Sequence, residues 1–254
     1  MRHQYSSKNC TRAGFTLVEL SIVIVIIGLI TGGIVISRSL IRQSEIKTVL
    51  SEYDMHLKSV KAFQDKYLML PGDFSNASVN WSGVGNGNGN SLIGNSDSSG
   101  SPSDESEWFL AWQHLSLAGL TQGQFTGTAG SGGSTEAVLG SNVPRSKFPG
   151  GGWTLLYFQL ESNNASLWGD AYGHIFVFGG NESGTITRGA LLAPKELLSL
   201  DQKIDDSKPG TGKVRAWRTS VQTNCTENDS SPTAATYKTS NNTSSCSGIF
   251  LSGF

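Results

Sequence analysis

The sequence is short of charge: 15% of its 254 residues are Asp, Glu, Lys or Arg, and the formal net charge is -1. Such a balance leaves no electrostatic footprint for DNA or RNA, so nucleic acid is not expected as a primary partner. Histidine is scarce as well. His3, His56, His114 and His174 show no metal-binding spacing, and the chain contains no Cys-x-x-Cys, no Gly-x-Ser-x-Gly elbow and no Gly-Lys-Ser/Thr phosphate loop. Structural roles are therefore expected, with His56 on the polar side of a long helix, His114 in an amphipathic helix and His174 opening a strand. No enzyme activity and no cofactor are expected, although a Ser-His-Asp convergence cannot be read from a linear sequence.

Cysteine is limited to Cys10, Cys225 and Cys246. If Cys10 lies in a segment that is removed, an even pair remains, which an oxidising compartment would close. A closed loop of about 20 residues would contribute roughly 3 kcal/mol. The alternative is two unpaired thiols in a flexible tail. Glycine, by contrast, is abundant at 31 residues and is interleaved with Ser, Asn and Thr, a composition that suits polar loops on an exported protein.

The long hydrophobic run stands near the N-terminus. Residues 1–14 contain Arg2, Lys8 and Arg12 and no acid, and Phe15 to Ser37 then hold a single ionisable group, Glu19. At about 1.5 Å per residue this run spans about 34 Å, enough for a hydrocarbon core of about 30 Å. It exceeds the usual apolar region of a secretory signal peptide, and no small-x-small cleavage site follows it. A carboxylate one turn into such a helix costs about 2.5 to 3.5 kcal/mol unless it finds a partner, which marks Glu19 as functional.

Gly14-Phe15-Thr16-Leu17-Val18-Glu19, preceded by the basic leader and followed by the apolar run, resembles the prepilin cleavage and methylation motif of the type IV pilin and type II secretion pseudopilin family. The resemblance implies cleavage after Gly14 by prepilin peptidase, N-methylation of Phe15, and an N-terminus on the cytoplasmic side of a bacterial inner membrane. It also implies a pilin-like α+β fold, a long N-terminal helix packed on an antiparallel β-sheet domain. The implied partners are homologous pilin or pseudopilin subunits, the peptidase, an inner-membrane assembly platform and membrane lipid. Cleavage creates an ammonium on Phe15 in an apolar setting, and the Glu19 carboxylate of a neighbouring subunit would neutralise it and set the register between subunits. With 3 of the 19 basic residues in the leader, 16 remain against 20 acids, a mature charge of -4.

Four segments follow: a leader (1–14), a transmembrane half-helix (15–37), an amphipathic continuation (38–70) and a globular domain outside the cytoplasm (71–254). The continuation rests on Ile46, Leu50, Tyr53, Leu57, Val60, Phe63 and Tyr67 at spacings of three and four. Leu70-Pro71-Gly72-Asp73 stops it. Residues 75–103 read as a low-complexity exposed loop unable to hold a core. Within it Asn86, Asn88, Asn90 and Asp97 form a weak calcium candidate, against which a turn-forming loop is favoured because carboxylates are few. A helix is expected over Asp104 to Leu120, strands over Trp153 to Leu160, His174 to Phe178 and Thr185 to Leu192, and a helix from Pro194 to Ile204.

Ile204-Asp205-Asp206-Ser207-Lys208-Pro209-Gly210-Thr211-Gly212 is similar to an Ile-Asp-Asp-Gly-x-Pro-x-x-Gly segment of large pilin-like and pseudopilin-like proteins, with Ser207 where glycine is expected. Asp205 and Asp206 are read as turn and capping groups rather than metal ligands. The expected function is a fibre subunit, foremost a type II secretion pseudopilin. A minor pilin for adhesion, motility or DNA uptake is the second reading, and a membrane-anchored periplasmic enzyme a remote third.

Overall fold

The computed structural model describes residues 14–96, 106–159, 167–169, 172–218 and 221–254. The leader through Ala13, Asp97 and the expected helix start at Asp104 lie outside the described residues.

The first helix, α1 (Leu17–Tyr67), belongs to two compact units, Met1–Ser44 and Glu45–Phe254. In the first unit every described side chain from Gly14 to Ile34 is exposed, including Leu17, Ile24 and Leu29. A helix apolar on all sides and covered on none has the surface of a membrane or intersubunit helix. By length and composition it can cross a membrane.

In the second unit, the remainder of α1 buries Ile46, Val49, Tyr53, Val60 and Phe63. Phe63 meets the rings of Tyr67, Phe74 and His114, while Tyr53 packs on a five-stranded sheet of order β1-β2-β3-β7-β4, where β1 is Asn95–Ser96, β2 Gly151–Phe158, β3 Gly173–Gly180, β4 Val214–Ala216 and β7 Gly248–Leu251. The Tyr53 ring lies 5.9 Å from Phe176 on β3 and 5.2 Å from Phe250 on β7, and its hydroxyl donates to the Leu251 carbonyl at 2.7 Å. The sheet is antiparallel apart from the two-residue parallel pairing of β1 with β2. A short helix α2 (Ala77–Asn80) and α3 (Ser106–Leu117) precede the sheet's centre, α4 (Pro194–Ile204) follows β3, and β5 (Thr226–Glu227) pairs with β6 (Thr236–Tyr237). The α+β architecture of a long N-terminal helix followed by an antiparallel sheet domain is as the sequence implied.

Three local expectations are corrected. His56 is not on a polar face; it is buried, with its ring edge-on to Trp112 at 4.9 Å and Trp153 at 5.6 Å. The buried stripe of α1 carries Glu52 and His56 at helical spacing alongside the apolar residues, and a count of apolar positions passes over them.

Residues 75–96 are not a coreless loop, since Ala77 and Ile93 are fully buried. A β-carbon on Gly87 would collide with the backbone of Gly72 and Asp73, so glycine here permits close backbone packing rather than mere flexibility. Thr185 to Leu192 does not form a strand. It forms isolated bridges at Gly180–Gly189, which reaches β3, and at Leu192–Cys246, just before β7, and the Thr187 hydroxyl donates to the Val177 carbonyl at 2.8 Å.

Candidate functional site

Gly14, Phe15 and Thr16 precede the first helical residue and have no regular secondary structure. Gly14 has open space around it and Phe15 is 89% exposed, so the Gly14–Phe15 peptide bond is sterically open. Helix α1 then begins with a reciprocal cap. The Thr16 backbone N–H and its hydroxyl both donate to Glu19 Oε2 at 2.9 Å, and the Glu19 N–H donates to the Thr16 hydroxyl at 3.2 Å. This is a capping box, Thr at the N-cap and Glu three residues on, which satisfies amides that a helix start otherwise leaves unpaired. Glu19 also places negative charge at the positive end of the helix dipole. Thr-x-x-Glu was readable in the sequence as a capping signature, so the role of Thr16 was available and was missed.

The cysteines meet. Cys225 and Cys246 form a disulfide with a Cα–Cα distance of 5.1 Å, and both are fully buried. Cys246 lies two residues before β7 and also pairs with Leu192, so the bridge ties the β5–β6 hairpin to the strand at the centre of the β3-β7-β4 run.

The asparagines of the weak calcium candidate have other uses. Asn86 Oδ1 accepts from the Ser78 N–H at 2.8 Å, Asn88 Oδ1 from Asn90 at 3.0 Å, and Asn90 Oδ1 from Leu92 at 2.8 Å. Asn88 and Asn90 each close a local turn of the kind Asn side chains favour, while Asn86 ties the segment back to α2. Around them, backbone amides are gathered by carboxylates and imidazoles. Asp73 accepts from Asn90 and Ser91, Glu107 from Asn88 and Gly94, His114 Nδ1 from Gly72, and His174 Nε2 from Ile93.

One acidic group was only half seen from the sequence. Asp201 on α4 joins Asp205 and Asp206, with carboxylate oxygens within 4.8 Å of one another. Asp201 is buried, accepts from the Tyr237 hydroxyl at 2.8 Å, and is pushed up to about 7, first by burial. Asp206 accepts from the Lys208 N–H at 2.9 Å and the Thr211 hydroxyl at 2.5 Å, while Asp205 accepts from the Lys213 N–H. Ser207 holds φ 67 at the centre of the turn, a left-handed conformation that glycine adopts without strain.

The three described histidines are isolated from one another's chemistry. His114 donates or accepts at both ring nitrogens, to Gly72 and Gly85, and His174 does so with Ile93 and Phe254. Burial lowers each of His56, His114 and His174 to about 4.

Among known protein families, the model for the prokaryotic N-terminal methylation motif matches residues 10–35. This is the prepilin-type signature, and with the long helix and antiparallel sheet it fits a type IV pilin-like protein. No curated protein and no solved structure matches the chain significantly.

Proposed function

We propose that the chain is a structural subunit of a type IV pilus-like fibre, cut after Gly14 by prepilin peptidase and polymerised through its N-terminal helix. Its narrower assignment is a pseudopilin of type II secretion. The observation that carries the reading is the matched motif on an open Gly14–Phe15 bond, followed by a capped helix whose apolar side chains have no cover. Cleavage would leave an ammonium beside that surface, and Glu19 is the acid in reach of a neighbouring chain's terminus.

The secretion assignment draws slight support from the large second unit and the Ile204-Asp205-Asp206 turn after α4, where Ser207, at the place of glycine in the similar segment, takes a left-handed backbone. The buried disulfide supports placing the second unit outside the cytoplasm. A catalytic role is not proposed, because His114 and His174 have both ring nitrogens engaged by backbone groups and His56 is enclosed by aromatic rings.

The test is the N-terminal mass and sequence of the chain from native membranes, compared with Gly14→Ala or a bulkier substitution. A chain beginning at N-methylated Phe15, with the substituted form uncut and absent from fibres, is expected. An uncut wild-type terminus sinks the reading. Loss of protein export in a deletion strain supports the pseudopilin, whereas loss of surface fibres with export intact would assign the chain to a surface pilus.

A further inference from the structure

A cavity of about 450 Å³ opens beside α1 in the second unit, between the helix, the turn that follows α3 and the segment leading into β2. Its geometry is set by Glu52. That buried carboxylate accepts from the Ser146 hydroxyl at 2.5 Å, the Lys147 N–H at 2.8 Å and the Trp153 indole at 2.9 Å, so the 145–147 segment is pinned with Ser146 inward. Alternation along an extended segment then sends Arg145 and Lys147 to the opposite side, and both line the cavity and are exposed.

Neither cation is neutralised. Among the described residues, Arg145 bonds only to the Leu139 carbonyl, at 3.2 Å, and Lys147 makes no side-chain hydrogen bond or ion pair. Ser51, Thr121 and Gln122, which also line the cavity, likewise have side chains without partners. At its inner wall stands His56, 3% exposed, with Nδ1 lacking any hydrogen-bond partner. That nitrogen is enclosed, so His56 forms part of the cleft's floor rather than a contact for a ligand. Met55 and Leu120 supply apolar surface between these polar groups. The one acid in the lining, Glu52, already has three donors.

We infer that this cleft is a docking site for an acidic peptide segment of another polypeptide, with a carboxylate between Arg145 and Lys147 and the segment's backbone against Ser51, Thr121 and Gln122. Two unpaired cations at the mouth of a partly apolar cleft select a carboxylate flanked by apolar residues. The cleft depends only on the fold of the second unit, so its test is independent of fibre assembly.

The experiment uses the mature full chain in detergent micelles and two blocked tetrapeptides, acetyl-Leu-Asp-Glu-Leu-amide and its Asn-Gln counterpart, titrated by NMR. The expected result is saturable binding of the acidic peptide alone, shifting the His56 ring and the Thr121 and Gln122 amides and weakening as salt rises. The double variant Arg145→Gln/Lys147→Gln, altered only at exposed positions, is expected to weaken it at least about tenfold. Equal binding of the two peptides, binding unaltered in the double variant, or no saturable shift at millimolar peptide would each overturn the inference. Because detergent-held monomers are used, a failure here leaves the fibre reading standing, and a failure of processing after Gly14 leaves the cleft standing.

Discussion

Glu52, on the buried face of α1, accepts the indole N–H of Trp153 on β2 at 2.9 Å, a polar bond across the interior of the second unit. Two further donors, from Ser146 and Lys147, converge on the same carboxylate. Glu52→Ala therefore leaves three donors without their acceptor and is expected to destabilise the second unit by about 3 to 5 kcal/mol. Glu52→Gln keeps one acceptor oxygen and is expected to cost about half as much. Denaturant unfolding of the mature chain in detergent, followed by tryptophan fluorescence, measures both; an Ala variant within 1 kcal/mol of wild type would show that these bonds are not held in solution.

Stability should fall on acidification. His56, His114 and His174 titrate at about 4 in the folded chain against an ordinary 6.5, all through burial. Between those values the unfolded chain binds three protons that the folded chain refuses, so the stabilisation present above pH 6.5 is lost as pH drops toward 4. Asp201 opposes this, because its folded carboxyl keeps a proton up to about 7 while the unfolded one releases it near 3.8. Its contribution favours the folded state at low pH and is lost as pH rises through 7. These four groups alone give a slope near pH 5 of about two protons, or roughly 2.7 kcal/mol per pH unit, and Asp73, whose carboxyl burial also raises, makes it shallower. Asp201→Asn removes the opposing group and is expected to steepen the slope toward three protons, which unfolding free energies at pH 7, 6 and 5 would reveal. A slope that flattens in Asp201→Asn would contradict this assignment.

Ser207→Gly is expected to stabilise the second unit by about 0.5 to 1 kcal/mol, since it places glycine at φ 67 where a β-carbon is strained. The gain is reduced by the greater freedom of glycine in the unfolded chain. A thermal midpoint unchanged or lowered in Ser207→Gly would mean that the Ser207 N–H bond to Asp201 Oδ1, at 3.3 Å, does not hold the turn in its present shape.

Reduction of Cys225–Cys246, a pair with a sequence separation of 21, is expected to cost roughly 3 kcal/mol. Loss should concentrate in the β5–β6 hairpin and the Leu192–Cys246 bridge, which amide exchange of Leu192, Cys246 and Lys238 would locate. Uniform loss of protection across β2 and β3 as well would instead show that the bridge supports the whole unit.

Residues whose chemistry repeats along the chain were legible in the sequence, and residues whose roles depend on distant partners were not. The apolar run after Phe15 was legible as the exposed apolar half of α1, and Pro194 marked the start of α4, where Glu196 accepts from the Ala193 N–H at 2.8 Å. The α1 stripe hid Glu52 and His56 because their burial is licensed by Trp153, Ser146 and Trp112, all roughly 50 to 100 residues away in sequence. The Asn-Gly repeat hid a packed segment because its amides are held by Asp73, Glu107 and His174 and its Gly85 carbonyl by His114, which carry no local sequence mark. Strands β4 and β7 are three and four residues long, too short for alternation to declare them, and β7 enters the sheet between β3 and β4 only through pairing with both.

The last expectation concerns the capped start of α1. Thr16 occupies only Oε2 of Glu19, through its N–H and hydroxyl, and among the described residues Oε1 has no partner. A carboxylate accepts at both oxygens, so Glu19 can keep its own helix start closed while Oε1 receives the Phe15 ammonium of an adjacent subunit. The two substitutions should then separate. Thr16→Val removes the hydroxyl's share of the cap, about 1 kcal/mol, and leaves the carboxylate in place, so fibres should form at reduced yield. Glu19→Gln removes the charge, leaving an ammonium unpaired in an apolar setting, and fibre incorporation should be lost. Both variants should still be cut after Gly14, because that bond precedes the helix and does not depend on the cap. Intact mass of the membrane-extracted chain reads the cut, and the fraction recovered in sheared or sedimented fibres reads assembly. Equal fibre yield from Glu19→Gln and wild type would mean that the carboxylate serves only its own helix, and the intersubunit pairing would have to be abandoned even with processing intact.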